Sequence, residues 1–318
     1  MDYKKNAVLL EDAVKNRSFI RHISRHRKPD GALDIEGNLK QWNNAIEAFA
    51  KLKLWDETPG FNQEDELQSE PYIVFIPAKA ELSRAGRSTI IIAHGGGFSW
   101  RTGCEAVNVA YYFHQAGFST AILNYRIQPY SRLDAIADMQ RAIRLLRSKR
   151  TELGISGKIT VMGFSAGGML SANCATHFDY GTENSDDPIE RYSCRPDAAV
   201  IGYGAISSVS FPKPFGMKQD SPMMGRDKAE RYYLAPEKNI KIDSPPFFIW
   251  QTLSDDGRQG MILAQALSDA EVPYDFHIFQ PGEHGLAMAD GENDLGMTVP
   301  HTARWGELCC SWLELHGL

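Results

Sequence analysis

Residues 158–168 read Lys158-Ile159-Thr160-Val161-Met162-Gly163-Phe164-Ser165-Ala166-Gly167-Gly168, and Met169-Leu170-Ser171-Ala172-Asn173 follows. The first five form a short strand, the next six set a serine among glycines, and the remainder opens a small-residue helix. Strand, tight turn and helix are the context in which Gly-x-Ser-x-Gly carries a nucleophile. A serine at such a turn is held in a strained backbone conformation, and a glycine two residues away on each side lets the arms close without Cβ clashes. The turn lifts the hydroxyl above the strand end and frees the Ala166 peptide N–H to hold an anion. The same short pattern also occurs in glycine loops that bind phosphate or nothing. Its meaning therefore rests on what the rest of the chain supplies.

Three further loops carry chemistry, each directly after a strand. Thr89-Ile90-Ile91-Ile92-Ala93 is an unbroken apolar run of the kind buried on both faces of a sheet, and His94-Gly95-Gly96-Gly97-Phe98 follows it. Successive glycines present backbone N–H groups, those of Gly96 and Gly97, to a developing negative charge, with His94 expected to hold the loop by hydrogen bonds. A phosphate cradle is the competing reading, but the Lys and Ser/Thr of a P-loop are missing. Phe247-Phe248-Ile249-Trp250 leads to Ser254-Asp255-Asp256, where one aspartate can orient a histidine while the other caps the next helix. Asp275 to Phe279 alternates as an edge strand and leads to Gly282-Glu283-His284-Gly285, an accessible loop for a general base. The order is serine, aspartate, histidine, with the donor loop upstream.

Tyr72 to Ile76, Ser119 to Leu123 and Ala198 to Tyr203 complete a series of strands that alternates with helices. The pattern predicts a mostly parallel central sheet covered by helices on both faces, with ligands beyond the carboxyl ends of the strands. Residues 1–70 differ and read as an N-terminal extension before a domain at 71–318. The run Asn16 to Asp30 is basic, and Leu39, Trp42, Ile46 and Phe49 mark one apolar face of a helix. That face either packs on the main domain or serves a partner, a second copy of the chain included.

A net charge of −6 argues against nucleic acid or an anionic membrane as partner, and no apolar stretch approaches the length of a membrane span. Cys104, Cys174, Cys194, Cys309 and Cys310 are odd in number and have no zinc-like spacing, so reduced thiols and no metal are expected, and a cytoplasmic location is expected because Met1-Asp2-Tyr3-Lys4-Lys5-Asn6 does not read as the start of a secretory signal.

From about Pro71 onward the chain resembles the α/β-hydrolase esterases, and more narrowly the acetyl esterase and acetylxylan esterase group of carbohydrate deacetylases. The matching stretches are His94 to Phe98, Glu105, Asn124-Tyr125-Arg126 with Pro129-Tyr130, Asp138 to Ala142, Met162 to Gly168, Pro245 to Trp250, and His277 to Phe279 leading to His284-Gly285-Leu286. The resemblance implies an α/β-hydrolase fold and a serine esterase that needs no cofactor. Ser165 is then the nucleophile, His284 the base and Asp255 rather than Asp256 the acid, with Gly96, Gly97 and Ala166 as the oxyanion hole. The substrate implied is a short-chain acyl ester of a sugar such as a xylo-oligosaccharide. Two stretches depart: Trp250-Gln251-Thr252 stands where such enzymes read Trp-His-Thr, and Gly257-Arg258-Gln259 where the loop continues to Val-Pro. Trp100 and Arg101 are candidates to stack on and donate to the alcohol, and the Ser207 to Lys241 insertion, with Phe211 and Met223, is a candidate roof. A general carboxylesterase, a peptidase of the same fold and a binding module without turnover are the alternatives.

Overall fold

The computed structural model describes residues 2–16, 27–62, 64–68, 70–84, 86–207, 209–210 and 224–318. Eight strands form one sheet: β1 (Leu52–Lys53), β2 (Tyr72–Ile76), β3 (Thr89–Ala93), β4 (Ser119–Asn124), β5 (Ile159–Phe164), β6 (Ala198–Gly202), β7 (Phe247–Thr252) and β8 (Tyr274–Phe279). Their order is β1-β2-β4-β3-β5-β6-β7-β8. β1 and β2 pair antiparallel, as do β2 and β4, and every other neighbour is parallel. The uninterrupted isoleucines of β3 make sense there, since Ile90, Ile91 and Ile92 have no exposed surface on either face. Each buries a side chain worth about 1.5–3 kcal/mol. β8, at the sheet's end, is more open than the central strands: Tyr274 and Asp275 are exposed, Phe276 to Ile278 are half-buried and only Phe279 is buried, so exposure falls along the strand rather than alternating.

Register places the chemistry. Ala93 on β3 lies beside Gly163 on β5, Phe164 beside Gly202 on β6, and Gly202 beside Trp250 on β7. The strands thus finish at one level, and the loops that follow them share one edge.

The N-terminal segment belongs to the same body. Strand β1 pairs with β2, so a boundary at residue 70 would cut the sheet. Asn6 Nδ2 donates to the Phe75 carbonyl of β2 at 2.8 Å, docking the helix Lys4–Lys15. The helix Ile35–Ala45 starts at Asp34, whose carboxylate accepts from Gly37 N at 3.0 Å, and ends before Ile46 and Phe49. Leu39, Trp42, Ile46 and Phe49 are all buried by the chain itself. The face suggested as a self-association surface is therefore already occupied. Much of the basic run from Asn16 to Asp30 lies outside the described residues.

Candidate active site

Ser165 occupies the turn between β5 and the helix Ala166–Thr176 with φ 53° and ψ −117°, a region that costs a non-glycine residue about 1–3 kcal/mol. Its N–H donates to Gly202 O at 3.0 Å and its carbonyl accepts from Met169 N at 3.1 Å, so sheet and helix hold the strain from both sides. A Cβ on Gly167 would stand 2.2 Å from the Ala93 carbonyl oxygen. That contact explains the glycine: the helix start must lie against the end of β3 to bring Ser165 beside the loop that follows.

In that loop Gly95 N–H turns inward, to Thr102 Oγ1 at 3.1 Å and Glu105 Oε2 at 2.8 Å. Gly96 has φ +105°, and a Cβ there would sit 2.0 Å from the Trp100 carbonyl oxygen. The N–H groups of Gly96, Gly97 and Ala166 find no acceptor among the described residues. His94 is enclosed, stacked on Tyr125 at 4.5 Å and packed against Trp42 at 5.1 Å. Burial, with the Arg101 charge, lowers its pKa to about 3, so the ring is neutral and its Nδ1–H donates to the Gly95 carbonyl at 2.7 Å.

His284 reaches this point from the loop after β8. Its Nε2 lies 2.8 Å from Ser165 Oγ, and its Nδ1 lies 2.8 Å from Asp255 Oδ2. A carboxylate only accepts, so Nδ1 carries the proton and Nε2 is left to accept from the serine hydroxyl. Asp255 is 3% exposed. Asp256 turns away, with φ 29°, and pairs with Arg258 at 2.5 and 2.9 Å rather than capping the next helix.

A family model described as BD-FAE matches residues 74–266, more than half of the chain. The chain belongs to the BD-FAE family. This BD-FAE chain is also 32% identical to the acetyl ester-xyloside bifunctional hydrolase of Caldicellulosiruptor lactoaceticus, with a TM-score of 0.76 over 84% of this chain and 96% of that one. A carboxylesterase of Lactobacillus plantarum, 21% identical, shares the fold with a TM-score of 0.66 over 84% of this chain and 97% of that one. Among curated relatives, endo-1,4-beta-xylanase B of Butyrivibrio fibrisolvens is 28% identical over 244 residues, 72% of this chain and 38% of that protein. Acetylxylan esterase of Xylanibacter ruminicola is 26% identical over 125 residues, 39% of this chain and 23% of that protein. The chain thus spans well under half the length of either curated relative. By these relationships the chain has the α/β-hydrolase fold and is related to esterases of that fold.

Within the BD-FAE chain the two departures from the family pattern have a structural role. Gln251, buried in β7, donates from Nε2 to the carbonyls of Asp255 at 3.2 Å and Asp256 at 3.4 Å, and accepts from Gly260 N at 2.8 Å. The amide therefore clamps the acid loop to the next helix. Gln259 accepts from Ser207 N at 2.8 Å, tying that helix to the end of the β6 loop.

Arg101 corrects the sequence reading. It is fully buried, its guanidinium lies over the Trp42 ring at 5.8 Å, and Nη2 donates to Gln68 Oε1 at 3.3 Å. It faces the N-terminal segment and has no access to an alcohol outside. Its backbone is held on both sides by Asn38, at 2.8 and 3.0 Å, so the Ile35–Ala45 helix braces the chain just past the glycine loop. Trp100 is half-buried with its indole against Gly97. Phe211 and Met223 lie outside the described residues. No group of three or more His, Cys, Asp or Glu among the described residues is placed to hold a metal ion, and no helix there is long and apolar enough to cross a membrane.

Electrostatics give a first expected result. Burial alone would lower the His284 pKa, but the Asp255 hydrogen bond and charge, with the Glu105 charge behind, outweigh it and raise the value. Only neutral imidazole accepts a proton, so ester hydrolysis must rise with pH through this pKa. The acid limb of kcat/KM is expected above the ordinary imidazole value of about 6.5. A pH–rate profile whose limb falls well below that value would contradict this electrostatic balance.

Proposed function

We propose that the protein removes short acyl groups, chiefly acetyl, from sugar esters such as acetylated xylo-oligosaccharides. The reading is carried by one observation, the chain of two 2.8 Å contacts from Ser165 through His284 to Asp255 beside three unengaged backbone N–H groups. His284 takes the proton of Ser165 Oγ as that oxygen attacks the ester carbonyl. The N–H groups of Ala166 and of Gly96 or Gly97 hold the resulting oxyanion. His284 then returns the proton to the departing alcohol, and water, activated the same way, frees the acid from the serine.

The sugar-ester choice draws support from the acetyl ester-xyloside hydrolase and the acetylxylan esterase among the relatives. Trp100, beside the oxyanion loop, offers an apolar face on which a sugar ring can stack. A cytoplasmic setting, acting on imported oligosaccharides, fits this substrate.

A panel of acetyl, butyryl and octanoyl esters of one activated alcohol, with acetylated xylo-oligosaccharides and an acyl amide, tests the proposal. The expected result is preference for acetyl, release of acetate from the sugars and little amide cleavage. Equal rates on acetyl and octanoyl esters with untouched sugars would point to a general carboxylesterase, and efficient amide cleavage to a peptidase.

A further inference from the structure

Glu105 is a carboxylate that the triad does not use, 3% exposed and without a cationic partner among the described residues. A buried charge in that position is costly unless donors satisfy it. It has three. Oε2 accepts from Gly95 N at 2.8 Å and from the Thr102 hydroxyl, and Oε1 accepts from the Tyr203 hydroxyl at 2.7 Å. Each donor leads to a different part of the site. Gly95 begins the oxyanion loop. Tyr203, at the end of β6 with φ 35°, accepts from Ala287 N at 2.9 Å and sets its ring edge-on to His284 at 5.0 Å. Gly95 itself lies between Glu105 and the nucleophile, since a Cβ there would stand 2.3 Å from Glu105 Oε2 and 3.0 Å from Ser165 Cβ.

We propose that Glu105 is a positioning residue for the esterase reaction: one carboxylate that fixes the oxyanion loop against the His284 loop and adds a second negative charge behind the base. The inference rests on the Ser165–His284–Asp255 reading. Apolar side chains would fill this space more cheaply if packing alone were needed. A charge does something they cannot, because it favours the imidazolium that forms in the transition state. The Glu105 charge is among the causes that raise His284. Besides His284, the titratable groups that face Glu105 are Tyr203, Tyr125, Cys104 and Asp294. Only Asp294 titrates near the working range, pushed up to about 6 by burial and by the Glu105 charge.

Three variants separate the roles, with kcat, KM and the acid limb read on an acetyl ester. Glu105→Gln keeps the shape but removes the charge and one acceptor. It is expected to lower kcat about ten- to a hundredfold with KM little changed, and to move the acid limb to lower pH. Tyr203→Phe cuts the link to the His284 loop and leaves the charge, so kcat falls while the limb stays. Asp294→Asn leaves both unchanged, whereas a limb that moves in this variant would assign the ionisation to Asp294 and overturn the charge role. Wild-type kcat and limb in Glu105→Gln would overturn the proposal outright. If Glu105→Gln does not fold, wild-type kcat in Tyr203→Phe does so instead. Ser165→Ala run alongside keeps the two readings apart: its inactivity beside a fully active Glu105→Gln defeats this inference only, while its activity defeats the triad reading as well.

Discussion

Ser165→Ala is expected to lower kcat/KM for an acetyl ester by about 10⁵-fold or more while leaving the fold and its melting temperature essentially intact. The size follows from what is lost. Oγ supplies the new covalent bond, and without it His284, held from behind by the Asp255 carboxylate, has no hydroxyl at this position to activate. Residual turnover would come from the three free N–H groups acting on a water-driven reaction. Stability is expected to hold because the serine side chain is only partly buried and because alanine inherits the same strained φ of 53° without adding atoms. The measurement is steady-state hydrolysis with a parallel thermal melt. A rate within tenfold of wild type in a folded variant would remove Ser165 from the mechanism.

The two adjacent aspartates give the second large contrast. Asp255→Asn is expected to cost about 10⁴ in kcat, about 5.5 kcal/mol, whereas Asp256→Asn changes the rate less than about threefold. An asparagine at 255 can present its NH₂ to His284 Nδ1, which favours the tautomer with the proton on Nε2 and blocks acceptance from Ser165. The same change removes the charge that raises His284, so any surviving activity should show an acid limb at lower pH. Asp256 is spent on Arg258 at the surface, where an exposed pair contributes little. Kinetics of the two single variants decide the matter, and a large loss in Asp256→Asn with an active Asp255→Asn would reverse the assignment.

These contrasts are legible in the sequence because the fold writes its strand ends plainly. Ile90, Ile91 and Ile92 can only sit in the middle of a sheet, so the glycines after them must emerge at its edge beside the loop after β5. The same logic carries Ser254-Asp255-Asp256 and His284. Residues that act across long separations leave no such mark. Asn38 and Gln68 meet Arg101 over 63 and 33 residues. Beside a glycine loop an arginine reads as exposed, since charged side chains are seldom buried; only the Trp42 face and Gln68, folded back over it, reverse that. Glu105 reads as a loop residue until β6 brings Tyr203 to it. Gln251 leaves a signal, an amide buried in β7 directly after the apolar run Phe247 to Trp250, and the carbonyls it holds belong to the acid loop.

The mechanism turns on a covalent intermediate at one atom. Rapid quenching of the enzyme with an activated acetyl ester, followed by peptide mass spectrometry, reads that atom directly. One acetyl group on the peptide bearing Ser165, formed in a burst and absent from Ser165→Ala, is the predicted result. Turnover with no acyl-enzyme, or an acetyl group carried by a different residue, would contradict it.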